Sequence, residues 1–167
     1  MKYSANREIM KSEDLAQVAW EAIERIWEDL PYSSVSKLDV FMSDLTEGQK
    51  ALISIDWCQK EIRNGGFKQL FENSTGNLVP YAVRGFHLIG AERYAELLAK
   101  GASLLGVEYP KSGAARKRAL KSLRDSQHQE LKTLDDEFMN LISSSEYELE
   151  QYRGRYVKNN LAQFISS

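Results

Sequence analysis

Asn64, Gln69, Asn73 and Ser74 place amide and hydroxyl groups around two glycine turns, Gly65-Gly66 and Gly76, in the densest block of chemistry-bearing residues in the sequence. Such groups can orient a small ligand by hydrogen bonds in a concave site. They can equally satisfy backbone groups in a loop. Phe67 and Phe71, four apart, share a helix face and would pin a short helical segment to a core. The glycines form no phosphate loop, because neither GxGxxG nor GxxxxGK(S/T) occurs.

Two charged faces are the other candidates. Asp14, Glu21, Glu24 and Glu28 fall within about 80° of one another at helical pitch, with Asp29 beside them. Their spacing is about one charge per 5 Å of helix, sparser than the one per ~1.7 Å of a DNA duplex axis. Such a face is either a solvated surface or a docking surface for a basic partner. Lys117, Lys121 and Arg124 share a face of opposite sign, with Lys111, Arg116 and Arg118 near them. That face suits phosphates or an acidic partner, yet it has no aromatic residues for base stacking. Cys58 falls on an apolar helix face and reads as a small core residue. His87 reads as a partly exposed structural residue and His128 as a surface one. Asp135, Asp136 and Glu137 are consecutive and would cap or begin a helix.

Other chemistry lacks its residues. Two His and one Cys cannot build an ordinary Cys/His zinc site. Paired Glu-x-x-His motifs, GxSxG and HExxH do not occur, so no metal, cofactor or catalytic residue is expected.

The elements that must position these groups are helices. The 167 residues suit one compact domain, and 43% hydrophobic with 28% charged residues is a globular profile. No apolar run reaches the ~20 residues of a membrane span, and the N-terminus has no signal-like apolar stretch. A lone cysteine fits a reducing cytoplasm. The net charge of −2 conceals an uneven distribution: −5 over residues 1–62, +1 over 63–110, +5 over 111–133 and −3 over 134–167.

Ser12 is expected to cap a helix that runs to Leu30, where Pro31 stops it. Trp20 and Trp27 flank its apolar stripe. Residues 35–42 form a short helix or an extended connection. Thr46 and Gln49 have the capping-box spacing, and the helix they open ends at Asn64-Gly65-Gly66. A short helical segment, 67–73, follows. Asn77 is placed to cap a helix to Ile89, with Pro80 in its first turn. Helices over 91–105 and 114–124, and two later ones, complete an all-α bundle of seven to nine helices, a single domain over 1–167.

The run LTEGQKALISIDWCQKEIRNGGFKQLFENSTG, followed by YAVRGFHLIGAERYAELLAKGASLLG, resembles the DNA-mimic protein family. The family signature is similar to Asn64-Gly65-Gly66-Phe67, then Gln69, Phe71, Asn73, Ser74 and Gly76, then Ile89-Gly90-Ala91, and later Leu134-Asp135-Asp136-Glu137-Phe138. The resemblance covers roughly residues 45–160. It implies a compact all-helical, cytoplasmic bacterial protein. In part of that family an acidic face imitates duplex DNA and occupies DNA-binding proteins. The expected function is therefore a non-catalytic interaction module with a protein partner, a DNA-binding regulator, contacted through Asp14, Glu21, Glu24, Glu28 and Asp29. It would bind neither nucleic acid nor membrane. Two alternatives stand beside it: a small-molecule pocket or enzyme site at Asn64–Gly76, and nucleic-acid binding through 111–124.

Overall fold

A computed structural model describes residues 2–144 and 146–166, and every regular element among them is helical. In chain order these are α1 (Leu15–Glu21), α2 (Glu24–Asp29), α3 (Val35–Ser43), α4 (Glu47–Glu72), α5 (Val79–Leu88), α6 (Glu92–Ser103), α7 (Gly113–Lys121), α8 (Asp125–Ser144) and α9 (Glu146–Asn159). Tight 3-10 turns cover Ile9–Lys11, Ser74–Leu78 and Leu161–Gln163. The all-α expectation holds, and no described helix is long and apolar enough to cross a membrane.

The fold is organised on α4, which packs against α5, α7 and α8. Its Leu52, Ile53, Ile55 and Cys58 are fully buried, so it is apolar over much of its circumference, as a central helix must be. Thr46 and Gln49 form the expected capping box: the Thr46 hydroxyl accepts from the Gln49 N–H and the Gln49 side chain accepts from the Thr46 N–H. The helical path is interrupted at Gly65 and Gly66, where the sequence places the helix end, and resumes through Phe67–Glu72. Around α4, α1 packs on α9, α5 on α6, and α6 on α8. Residues 5 and 164 meet, the Ala5 N–H donating to the Phe164 carbonyl at 2.7 Å, and the Thr46 hydroxyl at the start of α4 donates to the Gln163 carbonyl at 2.9 Å.

The single helix expected from Ser12 to Leu30 is two helices. Asp14 is the cap, its carboxylate accepting from the Ala16 and Gln17 N–H groups, while Ser12 accepts from the Asp14 N–H. The chain kinks at Ile23, whose φ of −125° and ψ of −12° leave the helical range. Ile23 is fully buried, and on its C-terminal side Trp27 stacks on Trp57 of α4 with centroids 4.6 Å apart. The kink thus bends the apolar stripe onto the core. Residues 35–43 are helical, which settles the open choice there. Asn77 is not a cap. Its amide donates to the Tyr32 carbonyl and its oxygen accepts from Arg116.

Candidate functional site

The Asn64–Gly76 block is a joint that turns the end of α4. Gly66 takes φ +72°, ψ −174°, a backbone region almost confined to glycine. The chain then restarts as a helix, and the first N–H of that helix, on Phe67, donates to the Asp135 carboxylate of α8 at 2.6 Å. Asp135 therefore caps a helix from a remote element, where a negative group is favoured by the helix dipole. Asp135, Asp136 and Glu137 do not begin a helix, as their run suggests; they lie in the middle of α8.

Glu61 closes the joint from the other side. Its carboxylate accepts from the Gln69 amide at 2.8 Å, the Asn73 amide at 2.9 Å and the Thr75 hydroxyl at 2.7 Å. Three donors from the far side of the glycine turn thus converge on one acceptor preceding it. Phe67 and Phe71 are fully buried, and Phe67 meets Phe138 of α8 edge-on at 5.7 Å. Asn64, Gly65, Asn73 and Ser74 are exposed, Gln69 is half-buried and Gly76 is buried.

Gly76 is tied to Arg116. A Cβ on Gly76 would lie 2.7 Å from Arg116 Nε, so only glycine leaves room for the guanidinium. Arg116 is fully buried and donates to the Phe71, Asn73, Pro110 and Lys111 carbonyls and to the Asn77 side-chain oxygen. It closes the carboxyl end of α4, where carbonyls lack helical partners. Sequence position places Arg116 near the basic face. Its burial removes it from any phosphate grip, while Lys111, Lys117, Arg118, Lys121 and Arg124 are exposed.

Asp135 has a testable pH signature. Burial pushes its carboxyl above the ordinary carboxylate range, against the Phe67 N–H, which lowers it, and with Asp136, which raises it. The folded state then holds this proton more tightly than the unfolded chain. Its contribution to stability is full below the ordinary carboxyl value and is lost as pH rises through the elevated folded value. Asp135→Asn keeps an oxygen acceptor for Phe67 and removes the charge. In urea titrations from about pH 3 to about pH 7, the stability of D135N relative to wild type is expected to rise with pH. A relative stability that falls with pH would show that the ionised carboxylate is the favoured partner.

The acidic candidates are placed unevenly. Asp14, Glu24, Glu28 and Asp29 are exposed and Glu21 is half-buried. The kink at Ile23 separates Asp14 and Glu21 from Glu24, Glu28 and Asp29, so the five do not share one straight helix face. Four are held by donors: Asp14 by its helix N–H groups, Glu21 by the Asn6 N–H at 2.6 Å, Glu24 by Trp20 Nε1 at 3.1 Å, and Asp29 by the Tyr3 hydroxyl at 2.8 Å.

Burial pushes the Cys58 thiol well above its ordinary value, which keeps it a thiol and a poor nucleophile. His87 is exposed and its Nδ1 lies 2.5 Å from a Glu92 carboxylate oxygen. His128 is exposed. Among the described residues no group of three or more His, Cys, Asp or Glu is arranged to hold a metal ion.

Sequence reasoning missed Glu61, Asp135 and Arg116 as the parts that hold the joint. Asp135 stands in the later motif of the resemblance, which was the available signal. Arg116 gave none, since a lone arginine in a basic helix reads as solvated.

Fold and site together define an all-α arrangement in which the Asn64–Gly76 block is an architectural joint and Asp14, Glu24, Glu28 and Asp29 are exposed beside the half-buried Glu21. The family model described as DMP19-like protein, a DNA-mimic-type domain family, matches residues 43–160, and the chain belongs to that family. No curated protein and no solved structure matches the chain.

Proposed function

We propose that this protein is a non-catalytic interaction module that docks on a basic protein surface through the carboxylates of α1 and α2. The family supports a DNA-mimic-like role of this kind. The partner it suggests is a DNA-binding regulator, whose nucleic-acid site offers a basic surface. The observation that carries the reading is the fixing of Asp14, Glu21, Glu24 and Asp29 by hydrogen-bond donors. A carboxylate already held by a donor loses less conformational freedom on binding. These residues precede the matched region 43–160, so the surface is argued from this chain's own α1 and α2.

Charge reversal tests it. Wild type and the Glu24→Lys/Glu28→Lys variant are immobilised and challenged with purified basic DNA-binding regulators at about 50 mM and about 500 mM salt. Wild type is expected to retain a regulator only at low salt and to release it to competing duplex DNA, with at least about tenfold weaker binding by the variant. Equal retention by both proteins would overturn the assignment of the surface. Retention unaffected by duplex DNA would overturn mimicry.

A further inference from the structure

A cleft of about 220 Å³ lies between α3, α5 and the loop that leads into α7. Its apolar side is Val35, Leu38 and Pro80, and Tyr81 and Tyr109 provide aromatic walls. Two cations line it, Arg84 from α5 and Lys111 from the loop. Neither is within ion-pair distance of any described carboxylate, although most basic residues of α4 and α6 have such partners. The one acid in the cleft, Asp39, receives the Tyr81 hydroxyl at 3.4 Å. The cleft therefore has an excess of positive charge beside an apolar wall.

Its parts are held in place. The Arg84 guanidinium lies 5.1 Å from the Tyr81 ring centroid, a cation–π contact that orients it. Arg116 anchors the loop by bonding the Pro110 and Lys111 carbonyls, and the Tyr109 hydroxyl donates to the Gly76 carbonyl at 3.0 Å. A preformed, partly apolar concavity with a few placed polar groups is the usual form of a small-molecule site. Its volume is below that of drug-sized pockets, so the occupant is small. A guanidinium over the Tyr81 ring suits a carboxylate, to which it can donate two parallel hydrogen bonds.

We infer that this cleft binds a small carboxylate with a ring or short apolar body, the carboxylate between Arg84 and Lys111 and the body against Val35, Leu38, Pro80 and Tyr109. The site is separate from the carboxylates of α1 and α2 and does not rest on the proposed docking role. Its α3 wall, Val35 to Asp39, lies before the matched region 43–160, so the ligand preference belongs to this chain rather than to the part it shares with the family.

The test is a titration followed by amide chemical shifts, with benzoate, its uncharged relative benzyl alcohol, and inorganic phosphate as probes. Benzoate is expected to give saturable shifts confined to residues 35–39, 77–84 and 109–113, at about millimolar concentration. Benzyl alcohol and phosphate are each expected to bind at least about tenfold more weakly, because each lacks one half of the recognition. Arg84→Gln and Lys111→Gln, both at exposed positions, are each expected to weaken benzoate about tenfold. Shifts centred on Lys117 and Lys121 instead would overturn the proposal in favour of a diffuse anion surface. Equal binding of benzyl alcohol, or no saturation by about 20 mM benzoate, would also overturn it.

Discussion

Replacing Arg116 with Met is expected to lower the unfolding free energy by at least about 4 kcal/mol. Two effects oppose each other. Burial of a guanidinium is costly, and it pushes the Arg116 pKa below its ordinary value, so an apolar substitute of similar size removes that cost. The acceptors remain, however. Phe71 O at 2.9 Å, Asn73 O at 3.0 Å, Lys111 O at 3.2 Å, Pro110 O at 3.3 Å and Asn77 Oδ1 at 2.8 Å all lose their donor. The Phe71 carbonyl, in a buried bond, costs about 1–3 kcal/mol when left unpaired, and the four part-buried acceptors add to it, so that together they outweigh the relief of one desolvated cation. Arg116→Lys is expected to recover less than half of the loss, because one ammonium cannot span acceptors spread over three segments. Urea and thermal unfolding measure both variants. For a chain of this size the Met variant should melt at least about 8 °C lower. A loss under about 1 kcal/mol would mean that solvent already serves these carbonyls.

The parts of the fold that the sequence made legible are those set by near neighbours in the chain. The Thr46–Gln49 capping box, the interruption at Gly65-Gly66 and the stop of the helix at Pro31 each depend on residues within a few positions, and each stands as expected, with Leu30 as the extended C-cap. The errors share the opposite cause. Ser12 has a good cap composition, but Asp14 two residues on takes the role because it reaches two helix N–H groups. The helix beyond it kinks at Ile23, where packing of Trp27 on Trp57 from another helix decides the path. Asn77 was a plausible cap until Arg116, distant in sequence, claimed its oxygen. The motif block shows the same division. Its glycine turns were readable, whereas the destinations of Gln69 and Asn73 were not, since Glu61 lies across a turn whose geometry the sequence does not state. The charge split was readable as numbers only. Folding takes Arg116 out of the basic segment and divides the acidic one at a kink, so neither is the uniform face that helical pitch draws.

Gly66→Ala is expected to cost about 3–5 kcal/mol, and Gly65→Ala only about 1–2 kcal/mol, although the two residues are adjacent. Gly66 combines two penalties. Its φ of +72° with ψ of −174° is strained for any side chain by about 1–3 kcal/mol. A Cβ there would also lie 2.5 Å from Asp135 Oδ2 and 2.8 Å from Asp135 Cγ, so the carboxylate must withdraw. Withdrawal leaves the Phe67 N–H without its acceptor, at about 1–3 kcal/mol. Gly65 carries neither penalty in full. Its φ of −165° lies outside the left-handed region, and its nearest obstacle is the terminal oxygen of Gln69. The amide can swing aside at the cost of one hydrogen bond to Glu61, and Gln69 Cβ, 2.9 Å away, must give by a small shift of its helix turn. Denaturant unfolding of the two variants, with Asp135→Ala and the double variant, gives a thermodynamic cycle. Gly66→Ala and Asp135→Ala remove the same bond, so their costs should overlap by about 1–2 kcal/mol. Full additivity would mean that the cap is not what glycine protects. The same protein separates architecture from binding. No hydrogen bond joins Asp14, Glu21, Glu24 or Asp29 to residues 61–76. A Gly66→Ala protein still folded at low temperature should therefore keep its salt-sensitive retention of a regulator. Loss of that retention with the fold intact would make the Asn64–Gly76 block part of the docking surface and not only the joint beneath it.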